Sequence, residues 1–592
     1  MEWVRVETDG HVAVVTLDRP PVNALNPGSR FELANAFETL EFANGMRLET
    51  RINTTYTLSG RLEGRDKLLA AAAGSNDGNN NFDNGDLTSN RLALLLDAKL
   101  NRPTDDGRDL GLVFSASTFY DDIYQRSNAN NPGSGLPNAS YNPNAVNKPP
   151  PFDEFTNGAE RYHGGYGRVL DAYAYAAFDL GESRLTTRLG RQVVSWGEAL
   201  FFPGISLAQA PADGTKTGIP GTETKDQLLP EDQVSVSLEA TQNWTLLAHW
   251  QFGFQETIAP APGSYLNSSD AVGPGGRCLG PWVNLPAVPG LFAGYEGCSF
   301  GIRGEDIKPS DTGQWGVGTR YRVTDATELG LYYLNFSDRT PVPEINAFTP
   351  GVSIPPALQP AFGIRQIGNG SYNVHYFEDV KLIGATASTS LGVVSVAGEI
   401  SYKDGAPVLV DTVVNPATGA VIPNPTAGKV TQVNVNAFAN LGRTRLSPQT
   451  LFLAEVSYID IGSVDARKAP GVENLPPPQQ AFFPASKTLS FDTSNAWAFS
   501  TSAALGYPNL FEGWDLNVAL AYSGQIQGRT LIGGVGGEGD QRFSVGFNFV
   551  RMSNLSLGLT YLGFLGDADI TLKEFRPLVD RDQLSFVAKY SF

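Results

Sequence analysis

The chain has 592 residues, of which 18% are charged and 10% aromatic, with 64 glycines and two cysteines. The formal net charge of −18 leaves no basic stripe to neutralise phosphates, so a nucleic-acid partner is not expected. No long apolar run is present, which excludes a transmembrane helix but not a barrel, whose strands alternate apolar and polar residues.

The chain opens with MEWVRVETDG, which lacks both the basic and the apolar part of a signal peptide. From Trp3 it reads WVRVETDGHVAVVTLDRPPVNALNPGSRFELANAFETLE. Val12, Val14 and Thr16 alternate with Ala13, Val15 and Leu17, and Phe31, Leu33, Ala36, Phe37 and Leu40 form a helical stripe. A hairpin and then a helix from near Ser29 are predicted. This stretch resembles the start of the crotonase (enoyl-CoA hydratase/isomerase) family, whose members carry a run similar to LDRPPVNALN. The resemblance implies coenzyme A thioester chemistry, yet it stops before the segments that supply that family's oxyanion hole. AAAAGSNDGNN at 70–80 does not match the first of those segments. Residues 1–41 are therefore read as a truncated fragment without an active site, too small to close a core.

From residue 42 onward the dominant pattern is period-two alternation. It marks about eighteen strands, near 46–62, 88–101, 109–121, 166–180, 184–195, 232–241, 243–254, 313–324, 326–338, 372–388, 392–403, 428–442, 450–462, 492–506, 513–525, 538–551, 553–564 and 582–592. In the last, Leu584, Phe586, Ala588, Tyr590 and Phe592 share one face, and Gln583, Ser585, Val587, Lys589 and Ser591 the other. Connections alternate between short, as at 181–183 and 552–554, and long, as at 122–165, 255–312 and 404–427. Such parity is the mark of a membrane barrel with short periplasmic turns and long external loops. The predicted fold is all-β: a transmembrane antiparallel barrel over 42–592, with a partly plugged lumen.

RLGRQVVSWGEALFFPGISLAQAPADGTKTGIPGTETKDQLLPEDQVS, residues 188–235, is the most specific stretch of the barrel region. With it, residues 42–592 resemble the outer-membrane family catalogued as domain of unknown function 1302. Tyr590 and the terminal Phe592 resemble the signal read by the barrel-assembly machinery. The resemblance implies the outer membrane of a Gram-negative bacterium, contact with its lipid, and passage of hydrophobic or amphipathic small molecules. It also leaves room for periplasmic or inner-membrane transport partners.

The long connection 196–231 is too apolar for a solvated loop. Two placements are open: folded inward across the lumen, which is favoured, or capping the mouth. In the first, Trp196, Glu198, Phe201, Phe202, Asp213, Lys216, Glu223, Lys225 and Asp226 shape a constriction, with Arg188 and Arg191 available to pair with its acids. Cys278 and Cys298 fall in one long external loop and are expected to form a disulfide, stabilising by roughly 3 kcal/mol.

Other motifs carry less. GVGGEG at 534–539 fits a dinucleotide fingerprint in letters, but a strand follows where a helix is needed. GSNDGNNNFDNGD at 74–86 offers Asp77, Asp83 and Asp86 as calcium ligands but lacks the bidentate Glu of an EF-hand, and a solvated loop is favoured. NPNAVNKPPPF at 142–152 reads as an extended Pro-rich loop. Asp515, Arg542 and Lys589 read as solvated pore wall. His249 and His375 lie on separate predicted strands, and no catalytic triad is legible. The expectation is a channel for a small-molecule solute: not an enzyme, with no catalytic residue, metal or cofactor. Its alternatives are a crotonase-type enzyme, suggested by the N-terminal fragment alone, and an anchoring barrel without transport.

Overall fold

The computed structural model describes residues 4–9, 12–17, 39–42, 45–104, 107–130, 147–206, 208, 210–346, 352–362, 366–367, 370–531 and 536–592. Residues 29–38 of the helix expected from Ser29, residues 142–146 of the Pro-rich stretch and residues 534–535 lie outside them; Leu40, expected to end that helix, instead lies in a strand, Thr39–Glu41, and pairs with Leu48. Val4–Asp9 and Val12–Leu17 pair as an antiparallel hairpin.

Eighteen strands close one antiparallel barrel. They are β1 (Arg47–Arg61), β2 (Leu87–Pro103), β3 (Asp109–Asp121), β4 (Gly165–Leu180), β5 (Ser183–Gln192), β6 (Glu231–Thr241), β7 (Trp244–Gln251), β8 (Trp315–Thr324), β9 (Thr327–Phe336), β10 (Val380–Leu391), β11 (Val394–Asn415), β12 (Ala420–Gly442), β13 (Gln449–Val464), β14 (Asn495–Phe511), β15 (Trp514–Gln527), β16 (Gln541–Arg551), β17 (Leu555–Leu565) and β18 (Gln583–Ser591). Each pairs with its sequence neighbours. The seam is β18 on β1, from Gln583↔Arg61 to Ser591↔Asn53. Phe592 completes it, exchanging backbone hydrogen bonds with Ile52 at 2.9 and 3.4 Å. A short strand, Thr39–Glu41, adds to the start of β1, so pairing reaches upstream of residue 42.

The alternation sorts side chains by solvent. Leu92 and Leu94 on β2, Leu110, Leu112 and Phe114 on β3, Leu329 and Leu331 on β9, and Phe586 and Tyr590 on β18 stand exposed on the outer face. Their neighbours on the inner face, such as Asn53, Thr55, Thr57, Ser115, Ser117 and Ser585, are buried and polar. In water such an outer belt would cost about 25 cal/mol per Å² of apolar surface. In hydrocarbon it is already solvated, and the closed ladder leaves no strand edge unpaired. The barrel is built to span a membrane.

Turns at one end are short, including 181–182, 242–243, 325–326, 392–393 and 512–513. At the other end long segments fold over the mouth. Two of the predicted boundaries fail there. Residues 404–427 are not a loop: β11 and β12 run for 22 and 23 residues and stay paired from Val408↔Thr426 to Asn415↔Ala420. They continue past the membrane because the 465–494 connection packs on them. Asp411 N–H donates to Thr488 O and Ser490 N–H to Leu409 O, and Val414, Ala469, Val472 and Phe483 form a small core.

The predicted strand 372–388 is really two. Gly370–His375 belongs to a four-stranded sheet over the mouth, with Cys278–Leu279, Gly301–Arg303 and Val342–Ile345. The wall resumes at Val380, after a turn in which Asp379 has φ 57°. Tyr372 and Val374 alternate because they are buried in that external sheet, not because they face lipid. Cys278 and Cys298 are joined in a disulfide, with Cα atoms 5.2 Å apart.

Candidate functional site

The connection 193–230 leaves β5 and returns at β6 after crossing the lumen in two lobes. The first lobe reaches β11–β13, six strands round the wall from β5. Glu399 on β11 accepts the backbone N–H groups of Glu198 (2.8 Å), Ala199 (3.1 Å) and Ile205 (2.9 Å), and the side-chain amide of Asn434 (3.2 Å). Glu455 on β13 accepts those of Leu200 (3.2 Å) and Phe201 (2.5 Å). Asn436 on β12 donates to Glu198 O at 2.6 Å. A carboxylate in a barrel interior needs donors, and here the loop backbone supplies them.

Two glycines permit this wrap. A Cβ at Gly204 would lie 1.8 Å from Glu399 Oε1, and one at Gly197, whose φ is +89°, would lie 2.5 Å from Oε2. Apolar packing completes the lobe. Trp196 stacks on Tyr332 with ring centroids 5.9 Å apart and meets His249 edge-on at 4.9 Å. Ile205 and Phe202 are buried, whereas Leu200 and Phe201 remain exposed, at 52% and 39%.

The second lobe runs to β18, β1, β2 and β4. Gln583 donates to Gly218 O at 2.8 Å, and Thr57 to Pro220 O at 3.1 Å. Here the ties are ionic. Arg168 pairs with Asp213, Lys216 with Asp226, and Lys225 with Asp97 and, at 3.0 Å, with Asp171. Lys589 pairs with Glu223, with Arg51 at 4.0 Å. Lys216 is almost fully buried, and burial pushes its ammonium down to about 8. Burial also raises the Glu198 carboxyl, against the pull of Arg320.

The sequence-derived residues therefore divide. Trp196, Phe202, Asp213 and Lys216 are buried and fix the lobes. Glu198, Phe201, Glu223 and Lys225 keep exposed surface between them. Arg188 faces inward from β5, its guanidinium 5.7 Å from the centroid of the Tyr173 ring. Arg191 does not line the lumen. One residue beyond Gly190 on β5, it turns outward with the exposed Leu189 and pairs with Asp232 of β6, at 3.1 and 3.0 Å. Asp226 is buried against Lys216, Arg542 pairs with Asp540 at 2.7 Å, and Asp515 accepts the Asn509 N–H. Gly536–Gly539 lead into β16 rather than a helix. Tyr590 and Phe592 meet edge-on, 4.6 Å apart.

Sequence reasoning missed Glu399, Glu455, Asn434, Asn436, Arg168, Asp97 and Asp171. One signal was present: inward parity on β11–β13 carries Glu399, Ser401, Lys403, Gln432, Asn434, Asn436, Glu455 and Ser457, too polar a wall to be left without a partner. A second interior hub was also missed. Arg339 uses all its donors on Glu231, Gln251, Gln314, Ala208 O and Ser337 O, and so holds the loop's return.

No curated protein matches the sequence. Among solved structures, Acinetobacter baumannii OccAB2 is 10% identical, with 92% of this chain and 98% of that one covered and a TM-score of 0.38. Pseudomonas aeruginosa OpdK with vanillate is 12% identical, with 92% and 98% covered and a TM-score of 0.37. The Salmonella typhi OmpF complex with daunomycin is 8% identical, with 94% and 100% covered and a TM-score of 0.35. At these values the likeness assigns neither function nor solute. One family matches residues 10–592, beginning well upstream of the expected boundary at residue 42. The chain belongs to that family, described as protein of unknown function (DUF1302).

Proposed function

We propose that this protein is a channel of the Gram-negative outer membrane, passing small amphipathic molecules through a lumen narrowed by the 193–230 segment. The observation that carries this reading is the pairing of an apolar outer belt with a polar interior crossed by a tethered loop. Selection needs no covalent chemistry: groups at the narrowing replace part of a solute's hydration. Leu200 and Phe201 offer an apolar step beside Glu198, while Glu223, Lys225, Lys589 and Arg51 form a mixed-charge rim on the opposite lobe. A solute with one apolar face and one polar group fits both. The long connections lie outside the cell, and the first and last barrel strands begin and end on the periplasmic side. Surrounding lipid and the barrel-assembly machinery are the partners this placement calls for, and it leaves the periplasmic mouth open to periplasmic or inner-membrane transport proteins.

Liposome swelling tests the reading. Proteoliposomes are expected to swell in small aromatic or medium-chain carboxylates faster than in neutral sugars of equal size. Folded protein that admits neither solute refutes it.

A further inference from the structure

Asp77 and Asp270 form a buried pair of carboxylates in the external loops. Both are almost completely excluded from solvent, at 1% and 0% exposure. Asp270 Oδ2 accepts the backbone N–H groups of Asn76 (2.8 Å) and Asp77 (3.3 Å), which places the two residues together. The Asp77 carboxylate accepts the Asn147 N–H at 3.2 and 3.1 Å. Among the described residues, no lysine or arginine forms an ion pair with either. Lys148 and Arg581 act only from a distance, being engaged with Pro151 O and with Tyr265 O and Asp580. Burial raises both carboxyls, and repulsion from Asp270 raises Asp77 further.

Four side-chain oxygens in these same segments are buried and accept no hydrogen bond: Asp270 Oδ1, Asn80 Oδ1, Asn147 Oδ1 and Asn267 Oδ1. Their residues are no more than 3% exposed. Asn147 sits on the Asp77 carboxylate through its backbone, and Asn80 lies one helical turn beyond Asp77 in Asp77–Asn80. Buried oxygens without donors are desolvated with no return. A hard cation supplies what they lack, and an all-oxygen set of carboxylates and amides suits calcium rather than a softer metal.

We propose that Asp77 and Asp270, with the amide oxygen of Asn147, bind a calcium-class divalent cation that fastens the external segments 62–86, 147–164 and 252–314 to one another. The site is not the aspartate trio suggested by the sequence. Asp83 pairs with Arg65 at 2.8 Å and is largely exposed, and Asp86 accepts the Asp83 N–H at 2.7 Å.

The test uses the full-length barrel in detergent, stripped with chelator and dialysed against calcium at neutral pH. The expected result is about one saturable Ca²⁺ per barrel, in the 10⁻⁴–10⁻³ M range typical of extracellular sites. External loops should resist protease only in its presence. Asp270→Asn should abolish both effects, Asn147→Ala should weaken binding about tenfold or more, and Asp83→Asn should change neither. If Asp270→Asn does not fold, Asn147→Ala gives the same reading. Absence of saturable binding in the wild type overturns the proposal, as does wild-type binding by Asp270→Asn. Protease resistance that follows pH but not calcium overturns it too, since the pair would then share a proton.

Discussion

Removing Glu399 should release the first lobe of the inward segment without harming the barrel. In Glu399→Ala, the N–H groups of Glu198, Ala199 and Ile205 lose their acceptor, and Asn434 loses one of its two. Hydrogen bonds to a charged group contribute about 1.5–3 kcal/mol each. Three backbone donors therefore lose about 5 kcal/mol at the low end, and entry of lumenal water returns part of it. A net loss of about 2–4 kcal/mol shifts the docked-to-free ratio of the lobe by roughly 30- to 1000-fold. Glu455 still holds Leu200 and Phe201, so the double variant Glu399→Ala/Glu455→Ala should undock the lobe fully. The assay is single-channel recording in planar bilayers. The single variant should show flickering between a wild-type and a larger conductance, and the double variant the larger level alone. Both should remain heat-modifiable on gels, because no strand pair is touched. Wild-type conductance and noise in a folded double variant would refute the tethering.

Four further outcomes are expected. A Cβ at Gly384 would lie 2.4 Å from Ile205 Cδ1, so Gly384→Val should push the lobe off β10, cost about 1–3 kcal/mol and raise conductance. Gly398→Ala, where a Cβ would be 3.5 Å from the nearest atom, should leave the recordings unchanged. Lys216 has a folded pKa of about 8 against an ordinary 10.5, so from about pH 8 to 10.5 the unfolded chain holds a proton that the folded barrel has shed. Stability from this group therefore rises with pH across that window, and urea titrations should show wild type gaining on Lys216→Met there and nowhere below it. Reducing the Cys278–Cys298 bridge, which closes a loop of sequence separation 20, should cost about 3 kcal/mol locally. Protease should then cut between these residues while the heat-modifiable band stays intact.

The wall was legible because lipid on one face and polar lumen on the other impose a two-residue period on every strand. Where that environment ends, the period misleads. Tyr372 and Val374 alternate within an external sheet, and the outer half of β11–β12 was hidden because Val408, Val410, Pro407 and Ala406 are all buried. Arg188 and Arg191 show the cost of ignoring parity: an odd separation on one strand puts one in the lumen and the other outside. That the 193–230 connection was too apolar for solvent could be read directly from Trp196, Phe202 and Ile205. Parity could place its anchors on the inner wall but not match them to this loop, because Glu399 and Glu455 bind backbone N–H groups some 200 and 250 residues away in sequence. Backbone donors leave no trace in residue identity. The same holds for Asp77, whose companion Asp270 lies 193 residues on.

Recording from the purified wild-type barrel in a planar bilayer tests the central claim most directly. Discrete, reproducible conductance steps from protein that runs as a heat-modifiable band are the expected result. A folded, heat-modifiable barrel that inserts and yields no steps above background would contradict it.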